Sequence, residues 1–418
     1  RGLGDVYKRQ GYEAIKTFMS IFFILIPAIT LLIIYMPKII SLYRLANLYN
    51  KRTIARNFIN IDKIFKNISP LIPASDEPYI FEKKEFELPE KYIFDGEELD
   101  LKMGIKHFHT DGLIILHQNK MLFEQYWNGN TKDTKHICFS VSKSYLSALI
   151  GIAINEGLIE SVYDKVSKYL HDFTGTAYED VKIKNLLQMS SGIKFNEEYN
   201  DFKSDINKFS RATASGKSFR DFAKGLKKER KQGTFNHYVS IDSQVLAMIL
   251  ESVTYMPIRE YLYKKIWSKI GTESDAFYIT DRPGFDMALG GLNAVLRDYA
   301  KFGQLYLNKG SWFGEQIIPE SWVNKSHTPD APHLMPDAGE LSSNEWGYGY
   351  QWWVPGDPMT DFTAHGIFNQ FIYVNPISNV VIAKTSSNHR FRSEREYSKA
   401  CHLAIFRSIV KHINDNYQ

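Results

Sequence analysis

Ser140, Lys143, Tyr238 and the run His365-Gly366-Ile367 are the residues whose types and spacing could do chemistry together. They occur in the order Ser-x-x-Lys, Tyr-x-Ser and x-His-Gly. A serine hydroxyl attacks a carbonyl carbon once a neighbour takes its proton. Here a buried lysine and a tyrosine would replace the histidine and aspartate of more familiar serine hydrolases. After Ser140, the apolar residues Leu146, Ile150, Ala153 and Ile154 recur at helical spacing. A serine in the first turn of such a helix meets unpaired backbone N–H groups and the positive end of the helix dipole. That environment suits the oxyanion of a tetrahedral intermediate. Three residues is one helical turn, so Lys143 shares a face with Ser140. It acts as a base only when neutral, which burial favours. The spacing also occurs at Ser191–Lys194 and Ser408–Lys411, but only Ser140 opens a strongly apolar helix. The plain alternative, open at this point, is a helix-capping serine and a surface lysine.

The second motif is Asn236-His237-Tyr238-Val239-Ser240, followed by the apolar run from Val245 to Leu250. It too sets polar groups just before a buried helix. Tyr238 could relay a proton between the serine and the leaving group if its phenol lies near Lys143. Taken alone, it is one of 25 tyrosines packed where a helix starts. The third motif, Ala364-His365-Gly366-Ile367, leads into two runs rich in β-branched and aromatic residues, Gln370–Asn375 and Val380–Thr385. These predict paired strands joined near Pro376–Asn379. Gly366 beside a strand edge lets substrate approach the backbone closely. His365 reads equally as a chemical participant and as an ordinary sheet histidine.

In combination, and in this order, the motifs resemble the serine beta-lactamase-like superfamily. That group includes class C beta-lactamases, penicillin-binding DD-peptidases and related esterases and amidases. The resemblance covers roughly residues 100–415 and extends to Leu186–Ile193, Gly290–Gly303 and Trp346–Trp353. Within the superfamily, Glu197-Glu198-Tyr199, Gly291-Leu292-Asn293 and Gly366–Val374 are similar to the 6-aminohexanoate-dimer hydrolase branch. The resemblance implies that Ser140 is the nucleophile, that Lys143 accepts its proton and that Tyr238 assists. It implies an oxyanion hole from the N–H groups of Ser140 and Ile367. Tyr199, Ser240, Asn293, His365 and Gly366 would line the substrate site. Two departures favour amide or ester substrates over penicillins. Ala364-His365-Gly366 stands where beta-lactamases usually carry Lys-Thr-Gly, and Ser240 stands where many carry asparagine. The competing functions are a DD-peptidase or beta-lactamase of the same chemistry, and a non-catalytic binding or sensor module on the same fold.

The elements that must position these residues follow from pattern. A hairpin is expected at Gly112–His117 and Met121–Trp127, turning at Gln118-Asn119. The region from about 140 to 330 reads as mostly helical, strands return over Trp346–Thr385, and a helix covers about 393–414. The expected fold is α/β of the α+β kind: an antiparallel sheet built from distant chain segments and flanked by helices, with an inserted, mostly helical lobe. With 418 residues the chain can bury a large core. Its 51 basic and 47 acidic side chains give no reason to expect a nucleic-acid partner. The two cysteines, Cys138 and Cys401, suggest neither a disulfide framework nor a redox motif. His107, His109 and Asp111 alternate along one segment but lack the converging ligands of a metal site. Neither metal nor organic cofactor is expected.

Residues 1–10 read as a non-native artefact. Residues 11–37 include an uncharged, largely apolar stretch from 17 to 37, long enough to span a bilayer and without an Ala-x-Ala-like cleavage site. They are expected to form a single membrane anchor. Residues 38–95 read as a basic juxtamembrane segment and a Pro-punctuated linker, and 96–418 as the hydrolase domain. The basic flank at Lys38, Arg44, Lys51, Arg52 and Arg56 favours a cytoplasmic side, or contact with anionic headgroups. The resemblance favours an extracytoplasmic catalytic domain, which is the expectation adopted.

Overall fold

Two residues with positive φ, Gln118 (50°) and Asn119 (62°), close a two-residue hairpin between Thr110–His117 and Lys120–Tyr126. A two-residue turn of this hand matches the twist of the strands it joins. The computed structural model describes residues 2–214 and 217–417. It divides into two units, 1–48 and 49–418. The first is a single helix, α1 (Gly2–Ala46). Its stretch Gly4–Met36 contains an 18-residue window with a mean hydropathy of 2.6 and is long and apolar enough to cross a membrane, a property that signal sequences share. The helix continues without a break through residues 2–10.

The second unit is built on an eight-stranded sheet. In chain order its strands are β1 (Glu82–Lys83), β2 (Thr110–His117), β3 (Lys120–Tyr126), β4 (Gly347–Tyr348), β5 (Trp353–Val354), β6 (Phe362–Gly366), β7 (Gln370–Asn375) and β8 (Val380–Ser386). Their spatial order is β1-β3-β2-β8-β7-β6-β5-β4. Every pairing is antiparallel except that of β1 with β3. The sheet therefore joins strands from both ends of the chain, as the motif order predicts. All residues of β2, β7 and β8 are buried, because helices cover both faces. On one face α4 (Leu296–Leu307) lies so close that a Cβ on Gly303 would fall 2.6 Å from Val381 and 2.7 Å from Ile372. On the other, α5 (Arg395–Asn416) buries Cys401, Ile405, Phe406 and Ile409 in one core with Leu113, Ile115, Phe371 and Ile382.

The chain between β3 and β4 supplies α4 and, before it, the helical lobe. Its central helices are α2 (Ser142–Asn155) and α3 (Ser240–Thr254). The region from residue 49 to the mid-seventies, expected as linker, packs into this unit. Ile54, Phe58, Ile61, Ile64 and Ile72 are buried, and Ser69 N–H and Ile72 N–H donate to the carbonyls of Tyr278 and Ala276. The prolines and lysines that suggest a linker alternate here with isoleucines at helical spacing, and the isoleucines decide the outcome.

Candidate active site

Ser140 lies in a single 3-10 turn, Phe139–Val141, that runs into α2. A small three-stranded sheet fixes that turn. His136–Ile137 pairs with Leu292–Ala294, and Cys138 N–H donates to the Leu292 carbonyl at 3.1 Å. The Tyr299 hydroxyl donates to the His136 carbonyl at 2.8 Å and accepts from Ala294 N–H. One turn into α2, Ser142 and Ser144 donate to the carbonyls of Ala288 and Gln351 at 2.8 Å each. These bonds satisfy two of the hydroxyls that this apolar helix buries.

Lys143 is only 1 % exposed. Its Nζ donates to Ser140 Oγ at 3.0 Å and to the Leu289 carbonyl at 2.6 Å. Burial lowers its pKa to about 8, against the opposing pull of the Glu197 carboxylate. The Tyr238 hydroxyl faces the Ser140 side chain, whose influence on its pKa is downward. Its ring stacks on Trp353 at 5.4 Å and lies 5.2 Å from Lys143 Nζ. Burial, reinforced by Glu197, raises the Tyr238 pKa and keeps the phenol protonated. A serine, an amine that releases its proton near neutrality and a phenol that retains its own thus converge on one oxygen.

Glu197 was quoted above only as a neighbour of Tyr199, and the structure puts it at the hub of the polar site. Its carboxylate accepts from Tyr199 OH (2.7 Å), Ser240 Oγ (2.7 Å) and Ser240 N–H (3.1 Å). Ser240 opens α3, where a negative charge is favoured by the helix dipole. Ser240 and Tyr199 are therefore both engaged by this one carboxylate. Asn293 is buried; its Nδ2 donates to the Gly291 carbonyl at 2.9 Å, and its Oδ1 has no partner among the described residues.

The hairpin of β6 and β7 turns at Ile367–Asn369 and brings Gly366 against the Ser140 turn. A Cβ on Gly366 would lie 2.5 Å from the Cys138 carbonyl oxygen and 3.2 Å from Ser140 N. Only glycine allows that approach. The Gln370 carboxamide ties the turn to β8: Nε2 donates to the carbonyls of Ser386 (2.7 Å), Phe368 (3.2 Å) and Ile367 (3.3 Å), and Oε1 accepts from Ser386 N–H. His365 stacks on Phe371 at 4.5 Å. Burial, with the cations Lys399, Arg395 and Lys384 around it, pushes its pKa well below the usual value. It is a neutral aromatic neighbour here and supplies no cation.

Residues 99–403 match the Beta-lactamase family. The chain belongs to that family and is a beta-lactamase-related hydrolase. One relative is the 6-aminohexanoate-dimer hydrolase of Paenarthrobacter ureafaciens, 30% identical over 297 residues that cover 69% of this chain and 75% of that protein. Among solved structures, a Bacillus anthracis protein provisionally titled a 6-aminohexanoate-dimer hydrolase superposes with a TM-score of 0.79 at 23% identity. That superposition covers 89% of this chain and 97% of the other. EstCE1, described as a hydrolase with promiscuous acyltransferase activity, gives 0.59 at 13% identity, covering 73% of this chain and 96% of its own. These structures establish the shared fold.

Proposed function

We propose that this protein is a serine hydrolase that cleaves amide or ester bonds of small substrates through a covalent acyl-enzyme. The observation that carries the reading is the 3.0 Å contact between Ser140 Oγ and the fully buried Lys143 amine. Neutral Lys143 takes the Ser140 proton, directly or through Tyr238, as Oγ bonds to the substrate carbonyl carbon. The N–H groups of Ser140 and Ile367 hold the oxyanion. Collapse breaks the C–N or C–O bond, and the proton passes from Lys143 or Tyr238 to the departing amine or alkoxide. Water then adds to the acyl ester, giving a proton to the same base, and the carboxylic acid leaves as Oγ is reprotonated. Tyr199, Ser240, Asn293, His365 and Gly366 line the substrate side.

Two features support an amidase or esterase over a penicillin-recognising enzyme. The neutral His365 offers no cation to a substrate carboxylate, and Glu197 puts a carboxylate in the site. The relative named for hydrolysis of an aminohexanoate dimer is consistent with that preference. We further propose that α1 anchors the chain in a membrane with residues 49–418 on its extracytoplasmic side.

Intact-mass spectrometry tests the chemistry. Protein exposed to a fluorophosphonate, a p-nitrophenyl ester and a penicillin is compared with Ser140→Ala. A covalent adduct from the first two, absent in the variant, is expected. Unlabelled but folded wild-type protein would overturn the reading in favour of a binding module. A stable penicillin adduct would move the substrate class to cell-wall peptides.

A further inference from the structure

Two bulky residues beside the proposed site hold backbone angles that such side chains rarely adopt. Phe139, which precedes Ser140, has φ 46°, and Phe368, which follows Ile367, has φ 62°. An aromatic residue in this region persists only where its surroundings over-determine it. Those surroundings are other rings. Phe58 stands edge-on to both, with centroids 5.1 Å from Phe139 and 5.2 Å from Phe368. Phe139 and Phe368 are themselves 5.5 Å apart. Tyr49 stacks on Phe368 at 4.8 Å with the planes 22° apart. The Arg392 guanidinium lies over Tyr49, 5.0 Å from its centroid. Phe58 is completely buried.

Tyr49 and Phe58 come from a part of the chain outside the family match, which starts at residue 99. Neither reaches the reacting atoms. What they touch are the two residues that flank the two candidate oxyanion donors. Backbone contact at Gly366 sets how near the two turns approach. The rings of Phe139 and Phe368 determine how each turn is rotated, and so where its N–H points. A donor misdirected by a fraction of an ångström loses much of its worth in the transition state while leaving ground-state binding nearly intact.

We propose that Tyr49 and Phe58 are positioning residues for catalysis: an aromatic plug that locks the Phe139 and Phe368 turns and thereby aims the N–H groups of Ser140 and Ile367. The proposal rests on the oxyanion role given to those groups above. It makes the segment before the family region part of the catalytic machinery.

The test uses the full chain in detergent. It measures kcat and KM on a p-nitrophenyl ester, inhibition by phenylboronic acid (which forms a tetrahedral adduct on a serine oxygen), and melting temperature. Phe58→Ala is expected to lower kcat by about 100-fold and Tyr49→Ala by about tenfold, with KM within about threefold. Boronate affinity should fall in step with kcat. Phe58→Leu and Tyr49→Phe should recover most of both. Phe173→Ala is the control, a fully buried ring in the helical lobe; it should lower the melting temperature and leave kcat in place. If Phe58→Ala does not fold, Tyr49→Ala decides, since Tyr49 is only partly buried. Alanine variants that melt early yet keep wild-type kcat and boronate affinity would overturn the plug. Ser140→Ala, run alongside, separates the two claims. If it stays active, the acyl-enzyme reading on which the plug rests fails; if it is inactive while the plug variants are unimpaired, only the plug fails.

Discussion

The pH profile of acylation tests the lysine most directly. Burial holds the Lys143 pKa at about 8, from an ordinary 10.5. With that pKa the neutral fraction is about 0.1 at pH 7 and about 0.9 at pH 9. The acylation rate on a substrate that does not titrate should therefore rise about tenfold over this interval and then level off. An unperturbed lysine would give about a hundredfold rise over the same interval with no plateau. Stopped-flow acylation by a p-nitrophenyl ester, before turnover, reads the step itself. Stability carries the same signature. The unfolded chain keeps the Lys143 proton up to about pH 10.5, whereas the folded chain sheds it near 8. Between those values the unfolded state binds more protons, so stability rises with pH, by about 3 kcal/mol in total for this group. Below pH 8 the penalty is constant. Buried Lys384, also shifted down, to about 7, adds a slope of the same sign. The difference between wild type and Lys143→Met isolates Lys143. A flat acylation profile across pH 7–9, or a break near 10.5, would refute the assignment of Lys143 as the base.

Three further outcomes follow from the same geometry. Glu197→Gln removes the carboxylate that favours protonated Lys143, so the ascending limb of the acylation profile should move to lower pH; an unmoved limb would exclude that coupling. Tyr238→Phe loses the hydroxyl at Ser140 and keeps the ring against Trp353. Its kcat should drop by about 10²–10³ with little change in melting temperature, and near-wild-type turnover would remove Tyr238 from proton transfer. Gly366→Ala places a Cβ 2.5 Å from the Cys138 carbonyl oxygen, which forces the two turns apart. Fluorophosphonate labelling should slow by at least about tenfold in a chain that still folds by circular dichroism, and unchanged labelling would contradict the close approach at the candidate oxyanion hole.

How far the site could be read from sequence depended on how local each contact is. Ser140 and Lys143 sit one turn apart, so their meeting is a property of the helix and visible from spacing. The hairpin at Gln118-Asn119 was legible because turn residues and β-branched runs act locally. Tyr238 carried meaning only in combination with the other motifs, since nothing near it in sequence distinguishes it from the other tyrosines. Glu197 was hidden for a different reason. It is one of 47 acidic residues, and its role exists only once Tyr199 and the start of α3 fold onto it. For the segment expected as juxtamembrane chain and linker (38–95), basic residues and prolines are strong local signals, whereas burial of Ile54, Phe58 and Ile61 is settled by partners far along the chain.

The site gathers groups that each oppose folding. Lys143 releases near pH 8 a proton that it would hold to about 10.5 in water, Glu197 is a carboxylate enclosed at 8 % exposure, and Phe139 and Phe368 hold strained φ angles. The shifted lysine and the two strained residues are each worth about 1–3 kcal/mol against the folded state. They persist because the surrounding structure fixes them from several directions: three donors on Glu197, two acceptors for Lys143, four rings about Phe368. Such an arrangement stores in the folded protein the orientation and desolvation that the reaction would otherwise have to supply at the transition state. Rings from outside the family region are among those that fix the strained turns. The central sheet supports β6 and β7 up to Gly366, but the strained residues lie beyond the last ladder pairing, where ring packing adds to what the Gln370 carboxamide holds at Phe368.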